Sequence, residues 1–216
     1  MQENISTGIE LLDKQIKGYP IDGITVIYGP SNSGKTNLAL IASKKIIENR
    51  KKILILNTEG EIIIDRIKQL FKNINDFLFL KIKTFEQQDK IINELCTKKI
   101  DSIGLIIFDS SNKILRSEIN IDNKRKYYEQ LKKLKKISRE RKIPIIMTAQ
   151  VYHSCDIEEE KMFAGDVIKE HSDCIIELKI IEKLRKIKIK KHNQINGEKE
   201  FYFRIEEKEI KGFTLQ

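Results

Sequence analysis

The amino-acid sequence predicts an α/β protein whose mainly parallel sheet is flanked by helices and extended by C-terminal antiparallel strands. Short apolar runs alternate with amphipathic segments, which is typical of βαβ units around a parallel sheet. A glycine-rich phosphate-loop motif separates the first apolar run from the first amphipathic segment. Beyond about residue 172, apolar and polar residues alternate at period two, which predicts antiparallel hairpins.

Predicted strands and helices alternate up to about residue 150. The apolar run IGLIIF has no polar face, so we expect a sheet that is covered on both sides. The predicted strands lie at 24–28, 53–56, 77–82, 103–108 and 143–147, and the predicted helices near 35–49, 61–72, 85–98 and 122–141. The last helix has an apolar stripe of Tyr128, Leu131, Leu134 and Ile137. The C-terminal strands lie in DCIIELKI, RKIKIKKH and KEFYFRI.

The chain of 216 residues is long enough for one sizeable domain, and we predict a single domain spanning 1–216. No repeat or proline-rich linker divides the sequence. The three cysteines are widely spaced and odd in number, which favours a reducing compartment over a disulfide framework or a zinc site. Without a leader-like N-terminus or a membrane-length apolar run, the sequence predicts a cytoplasmic protein.

The chain is strongly basic, with a formal net charge of +9 and an isoelectric point near 9.3. Positive charge favours a polyanionic partner, because each phosphate that is contacted releases counterions. Lysine is abundant throughout the sequence, so the excess fits nucleic acid binding and a general compositional bias equally well. Charge alone therefore leaves both interpretations open.

The stretch GPSNSGKT matches the phosphate-loop pattern G-x-x-x-x-G-K-[ST] and lies between a predicted strand and a predicted helix. Backbone N–H groups of such a loop and the positive end of the helix bind phosphates. Lys35 adds a mobile positive charge, and Thr36 offers a hydroxyl to Mg²⁺. The alternative is a turn that only links strand and helix. The candidate nucleotide-binding residues are Gly29, Pro30, Ser31, Asn32, Ser33, Gly34, Lys35 and Thr36.

Three polar side chains follow other predicted strands, at the edge where a parallel sheet brings strand ends close to the phosphate loop. Asp109 ends GLIIFD and is a candidate for holding the Mg²⁺ shell through water. Glu59, in LNTEGEI, is either a general base that orients the attacking water or a solvated loop residue. Gln150 ends IPIIMTAQ with an amide suited to contacting a γ-phosphate, but its position alone leaves its role open.

These segments, in this order, resemble the RecA/RadA recombinase family. The likeness is carried by ISTGIELLDKQIKGYPIDGITVIYGPSNSGKTNLAL, LNTEGEIIIDR, GLIIFDSS and IIMTAQV, and it extends from about residue 5 to residue 213. The tail, which includes FAGDVIKEHSDCIIEL and KIKKHNQINGEKEFYFRI, is similar to that of the family's short archaeal paralogues. The resemblance implies a RecA-like P-loop NTPase core that binds ATP and Mg²⁺.

Specific roles follow from the resemblance, residue by residue. It implies that residues 29–36 form the ATP phosphate loop and that Asp109 lies on the Mg²⁺ side. It also implies that Glu59 activates water, that Arg66 stacks on the adenine, and that Gln150 links the γ-phosphate to DNA binding. The catalytic residues implied in this way are Glu59, Lys35 and Gln150.

Candidate DNA contacts come from two sources. The resemblance implies DNA-facing segments at about 112–121 and 151–168, with Lys113 and Arg116 as phosphate contacts. Independently, the alternation in KLRKIKIKKH predicts a strand with a basic face and an apolar face. The lysines of that basic face are Lys186, Lys188 and Lys190.

The chain departs from the full recombinases in two respects. It begins four residues before ISTG, so we expect no N-terminal helical domain and no filament assembly through the usual linker strand. The segment DIEEE, at 156–160, places negative charge in the second DNA-facing segment, where it repels phosphate. We therefore predict an ATP- and DNA-binding accessory protein of homologous recombination and DNA repair, with weak ATPase activity and no strand exchange.

The expected partners are DNA and the main RadA-type recombinase, and a homo-oligomer is compatible with the sequence. Two other functions remain open. The first is a recombinase-interacting mediator that uses ATP only as a conformational switch. The second is a KaiC-like signalling ATPase, although Glu59-Gly60-Glu61 interrupts the paired glutamates of that group.

Overall fold

The computed structural model of the chain describes residues 4–154, 157–195, 197–205 and 210–213. The strands are β1 (Asn4–Ile5), β2 (Tyr19–Pro20), β3 (Ile24–Tyr28), β4 (Lys52–Asn57), β5 (Phe77–Lys81), β6 (Ile103–Asp109), β7 (Ile145–Ala149), β8 (Val151–Ser154), β9 (Ile157–Met162), β10 (Cys174–Ile181), β11 (Leu184–His192), β12 (Lys199–Ile205) and β13 (Ile210–Phe213). The helices are α1 (Glu10–Ile16), α2 (Lys35–Ile41), α3 (Ser43–Glu48), α4 (Ile62–Leu70), α5 (Phe85–Thr97), α6 (Lys113–Ser117), α7 (Ile121–Arg141) and α8 (Gly165–His171), with a 3₁₀ turn at Ile74–Asp76.

The main sheet of the described residues has nine strands in the order β13-β12-β11-β10-β3-β7-β6-β4-β5. The strands from β10 to β5 are parallel to their neighbours, whereas β11, β12 and β13 extend the β10 edge in antiparallel fashion. The predicted fold class is therefore confirmed. The order also places β3, β7, β6 and β4 side by side, which brings their carboxyl ends to one edge of the sheet.

Alternate side chains of the central strands pack into two separate cores, one on each face of the sheet. In β6, Leu105 and Ile107 belong to one core, whereas Ile106 and Phe108 belong to the other. All four side chains are fully buried. The prediction of a sheet covered on both sides is thus confirmed. The burial of these side chains also fixes the register of the strands.

Three local features differ from the sequence prediction. The helix expected near 35–49 is interrupted at Ala42, where Gly8 packs closely against the carbonyl of Ile41. The strand expected at 143–147 begins at Ile145, because the Ile143 N–H donates to Ser138 O at the end of α7 and Pro144 has no N–H.

The third difference lies in the apolar stripe of α7. Tyr127, rather than Tyr128, is buried beside Leu131, and its hydroxyl donates to Ser111 Oγ at 3.1 Å. That hydrogen bond satisfies the polar end of a buried ring, which makes Tyr127 the better core residue. Tyr128 instead donates its hydroxyl to Glu170 at 2.8 Å.

Within the ranges described above, no helix has the length and apolar character needed to cross a membrane.

Candidate nucleotide-binding site

Four neighbouring strands deliver the predicted site residues to one cavity. The phosphate loop follows β3, Glu59 follows β4, Asp109 ends β6 and Gln150 follows β7. All of these line a cavity of about 500 Å³. Arg66 and Arg116 also line it, so the cavity unites residues that lie far apart in the sequence.

The phosphate loop has a backbone that favours glycine at both ends of the motif. Gly29 and Gly34 have φ values of 150° and 100°. A Cβ atom at Gly29 would lie 2.4 Å from the carbonyl oxygen of Leu178, and one at Gly34 would lie 2.8 Å from Cδ1 of Ile205. The loop therefore packs directly on β10 and β12, and a side chain at either position would displace it.

The charge and polarity of the loop fit a phosphate group. Lys35 Nζ donates to the carbonyl oxygens of Gly29 at 2.9 Å and Pro30 at 2.7 Å, which holds the ammonium over the loop. Among the described residues, the buried hydroxyl of Ser33 has no hydrogen-bond partner. An ammonium and a hydroxyl donor in one glycine-rich loop suit an anion with several acceptor oxygens.

Asp109 and Thr36 provide the two oxygen ligands expected at a magnesium site. The Thr36 hydroxyl donates to Asp109 Oδ2 at 2.7 Å, and the Thr148 hydroxyl donates to Asp109 Oδ1. Burial raises the pKa of the Asp109 carboxyl, although the hydrogen bonds from Thr148 and Thr36 and the charge of Lys35 act in the opposite direction. Hydroxyl and carboxylate oxygens are ligands that Mg²⁺ prefers, so these residues fit that ion.

Glu59 accepts hydrogen bonds from three different side chains. Its Oε1 accepts from Ser110 Oγ at 2.8 Å and from Gln150 Nε2 at 2.9 Å. Its Oε2 forms an ion pair with Lys113 Nζ at 2.8 Å. Burial alone acts to raise the pKa of Glu59, but the hydrogen bonds from Lys113, Ser110 and Gln150 outweigh burial and lower it. Glu59 is therefore an ionised carboxylate in a fixed position.

Two buried asparagines hold the loops that carry these side chains. Asn57 accepts from the backbone N–H groups of Glu59 and Gly60 and donates to Gly60 O at 2.7 Å. Asn112 accepts from the Gln150 N–H at 2.8 Å and donates to the carbonyls of Gln150 and Phe163 at 3.0 Å. Asn112 thus joins the end of β6 to the segments after β7 and β9.

Sequence reasoning missed several of these supporting residues. Thr148 carries a usable signal, since it lies two residues before Gln150 in the apolar run IPIIMTAQ, and side chains two residues apart in a strand point to the same side. Asn112 and Ser110 have no comparable signal, because their partners come from other strands. Their roles depend on which strands are neighbours.

Comparisons with known proteins agree with this arrangement. The family described as the RecA N-terminal domain matches residues 2–200. The DNA repair and recombination protein RadB of Methanococcus maripaludis strain C5 is 33% identical over 193 residues, which cover 84% of this chain and 88% of that protein. RadB of Methanocaldococcus jannaschii is 30% identical over 198 residues, covering 87% and 92% of the two chains.

The chain belongs to the RadB branch of the RecA family. A crystal structure described as the RadB recombinase superposes with a TM-score of 0.78 at 26% identity, and the match covers 98% of this chain and 100% of that one. RadB is the short archaeal paralogue indicated by the sequence. The RecA-like fold and membership of a DNA repair and recombination family are therefore established.

Two arginines from different helices line the cavity. Arg66, on α4, donates from Nε to Asn37 Oδ1 and from Nη1 to Gln69 Oε1 at 2.7 Å. Arg116, on α6, reaches the carbonyl of Val151 at 3.5 Å. Both arginines line the cavity, and Arg116 belongs to the predicted DNA-facing segment 112–121.

The predicted DNA contacts are not brought together. Lys113 is paired with Glu59 after β6, whereas the lysines of β11 lie four positions from β6 in the sheet order, next to β12. Lys186 pairs with Glu200 at 2.5 Å, Lys188 pairs with Glu198 at 2.6 Å, and Lys190 also donates to Glu198. Ile187 and Ile189 are buried, so the predicted basic and apolar faces are both present. The role of these lysines in DNA binding stays a prediction.

Some of the predicted features lie beyond what the structure describes. Of the acidic stretch 156–160, residue 156 and the side chains of 157–160 lie outside the described part of the chain. Within the part that is described, no cluster of three or more metal-binding side chains is found.

Proposed function

We propose that the protein binds ATP with Mg²⁺ at the cavity of the phosphate loop and acts as a DNA-binding accessory protein of homologous recombination, with weak ATPase activity. The observation that carries this proposal is the meeting of Lys35, Thr36, Asp109 and Glu59 around one cavity. A phosphate loop alone is compatible with many NTPases. The added carboxylates, together with membership of the RadB branch, favour ATP chemistry in recombination.

Each residue has a part in the proposed chemistry. The backbone of 29–36 and Lys35 would bind the phosphates, and Thr36 and Asp109 would hold Mg²⁺, with Asp109 acting through water. When bound, the ion would neutralise charge on the phosphate oxygens. Glu59 orients a water molecule and accepts its proton, and Gln150 contacts the γ-phosphate while hydrogen-bonded to Glu59.

The remaining site residues concern specificity and DNA. Arg66 stacks its guanidinium plane on the adenine, for which its place on the cavity wall is suitable. Arg116 lines the cavity and also lies on α6, so DNA phosphate bound there would be close to the nucleotide. The net charge of +9 supports a polyanionic partner. We expect no strand exchange, and we place the protein in the cytoplasm.

The exposed edge of the sheet favours a second role, as a mediator that binds another recombinase. In the described part of the chain, β5 has a neighbour on one side only. Two apolar side chains of this edge strand, Leu78 and Leu80, are 45% and 37% exposed. An edge strand with exposed leucines is a template for a strand from a partner, either a RadA-type recombinase or a second copy of this chain.

Replacement of Lys35 tests the nucleotide site. We expect Lys35→Ala to weaken ATP binding by about 10- to 100-fold, because a charged donor to the phosphates is lost. A fluorescent ATP analogue titrated in the presence of Mg²⁺ measures this affinity. Lys45→Ala, at an exposed lysine of α3, is the matched control. Equal ATP affinity of Lys35→Ala and the parent protein would show that the nucleotide does not bind at this loop.

ATP turnover with and without DNA, and with and without the RadA-type recombinase, distinguishes the two roles. Stimulation by DNA alone supports the DNA-binding ATPase. Stimulation only when the recombinase is present supports the mediator, and replacing both Leu78 and Leu80 by lysine would then abolish the effect.

A further inference from the structure

Lys113 forms an ion pair with Glu59, the general base proposed above. Glu59 and Gln150 line the cavity, but Lys113 is not among the described residues that do so. The two charged side chains are 39% and 30% exposed and their atoms are 2.8 Å apart. Lys113 therefore contacts the site through Glu59.

The backbone around Lys113 is anchored, so the ion pair is part of a fixed arrangement. Lys113 begins α6 immediately after Asn112, whose side chain is buried and makes three hydrogen bonds to the backbone of Gln150 and Phe163. Gln150 in turn donates to the other oxygen of Glu59. Lys113 and Gln150 thus hold the carboxylate from two sides, and both are positioned by Asn112.

A general base works best when it has a free lone pair toward water and when its conjugate acid is not strongly disfavoured. A carboxylate offers about four acceptor positions, and three of those of Glu59 are taken by Lys113, Ser110 and Gln150. The full positive charge of Lys113 also stabilises the ionised form, which makes Glu59 a poorer proton acceptor.

From this geometry we propose that Lys113 restrains Glu59 and keeps basal ATP turnover low. Lys113 is a positioning residue in this scheme, and the inference rests on the proposed ATPase function. The competing view is that Lys113 and Glu59 form a surface ion pair of small effect. The two views differ because only restraint predicts faster turnover when the cation is removed.

Removal of the charge at Lys113 tests the proposal. We expect Lys113→Met to raise kcat for ATP hydrolysis by about tenfold, with KM changed by less than about twofold. Lys113→Arg keeps a cation beside Glu59, so its kcat stays close to that of the parent protein. Lys126→Met, at an exposed lysine of α7, is the control for loss of one positive charge.

Further variants make the result decisive. Glu59→Gln added to Lys113→Met must remove the whole gain, and a gain that persists would overturn the proposal because it would not act through Glu59. If Lys113→Met does not fold, as judged by its thermal unfolding, Lys113→Gln takes its place. An unchanged or lower kcat in a variant that still binds ATP overturns the restraint alone. Failure of the parent protein to bind ATP overturns the proposed function as well.

Discussion

Lysines meet carboxylates in two regions of this molecule, with different surroundings. In the strand-end cluster, defined by Thr36, Glu59, Asp109, Thr148 and Gln150, the carboxylates are buried or half-buried and accept hydrogen bonds from neutral side chains as well as from Lys113. In the β11–β12 ladder, defined by Lys186, Lys188, Lys190, Glu198 and Glu200, the side chains of the two glutamates are 46% and 41% exposed and are paired with the lysines.

The difference shows that a run of basic residues in a sequence is not by itself a basic surface, because residues of the neighbouring strand can neutralise its charge. The β11 lysines form a basic stripe in the sequence, yet the three lysines and two glutamates of the ladder leave one net positive charge. The strand-end cluster has fewer charges, but burial makes each interaction stronger because solvent screens it less. We therefore expect changes in the cluster to have large effects and changes in the ladder to have small ones.

The largest effect is expected from Asp109→Asn. The substitution keeps the size of the side chain but removes the negative charge that accepts hydrogen bonds from Thr36 and Thr148. Because the site is buried, water cannot compensate for the lost charge. ATP turnover should fall by about 10- to 100-fold and lose most of its dependence on Mg²⁺ concentration. A Mg²⁺ titration of the ATPase rate measures both effects.

Asp101→Asn is the matched control for that experiment, because Asp101 is exposed and precedes the opposite end of the same strand. Normal turnover and Mg²⁺ response in Asp109→Asn would contradict a role for this carboxylate in ion binding.

An intermediate effect is expected when the ladder loses its negative charges. The double variant Glu198→Gln/Glu200→Gln frees the lysines of β11, so DNA affinity should rise by several-fold and the dependence on salt should become steeper. Fluorescence anisotropy with labelled DNA at several salt concentrations measures both. The double variant Glu48→Gln/Glu94→Gln removes two exposed, lysine-paired glutamates from helices and serves as the control. A gain of the same size in the control would assign the effect to net charge rather than to the ladder.

The smallest effect concerns acid stability. Hydrogen bonds from Lys188 and Lys190 lower the pKa of Glu198 to about 2. Because the pKa is lower in the folded state, the contribution of Glu198 is present above its unfolded pKa, roughly 4.5, and is lost as the pH falls toward 2. Urea unfolding from pH 7 to pH 2 should therefore show a small stability advantage of the parent over Glu198→Gln that vanishes in acid and shrinks in high salt.

Glu182→Gln tests whether that advantage belongs to the ladder. Glu182 lies in the turn before β11 and forms no ion pair among the described residues. A stability advantage over Glu182→Gln with the same pH dependence would mean that the effect does not come from the ladder.

Much of the fold and the outline of the site follow from the sequence by simple rules. Apolar runs with no polar face predict a sheet covered on both sides, and the structure has both cores. Parallel strands have their carboxyl ends at one edge of the sheet, so the sequence alone predicts that Asp109 and Gln150 lie near the phosphate loop, and both line its cavity.

The remaining features depend on contacts between distant segments. Lys113 was predicted to face DNA phosphate, but whether its side chain reaches Glu59 is decided by the turn between β6 and α6, which the sequence pattern does not fix. Similarly, Lys188 lies opposite Glu200 only because of the register between β11 and β12. Residue types predict which groups are available, whereas register and turn geometry decide which of them meet.

The packing beneath the phosphate loop has a consequence for the order in which the molecule is completed. Gly29 lies against Leu178 on β10, and Gly34 lies against Phe203 and Ile205 on β12. Both strands follow the loop in the sequence, since β10 begins at Cys174 and β12 begins at Lys199. During synthesis the loop therefore lacks this packing support until β12 has been made.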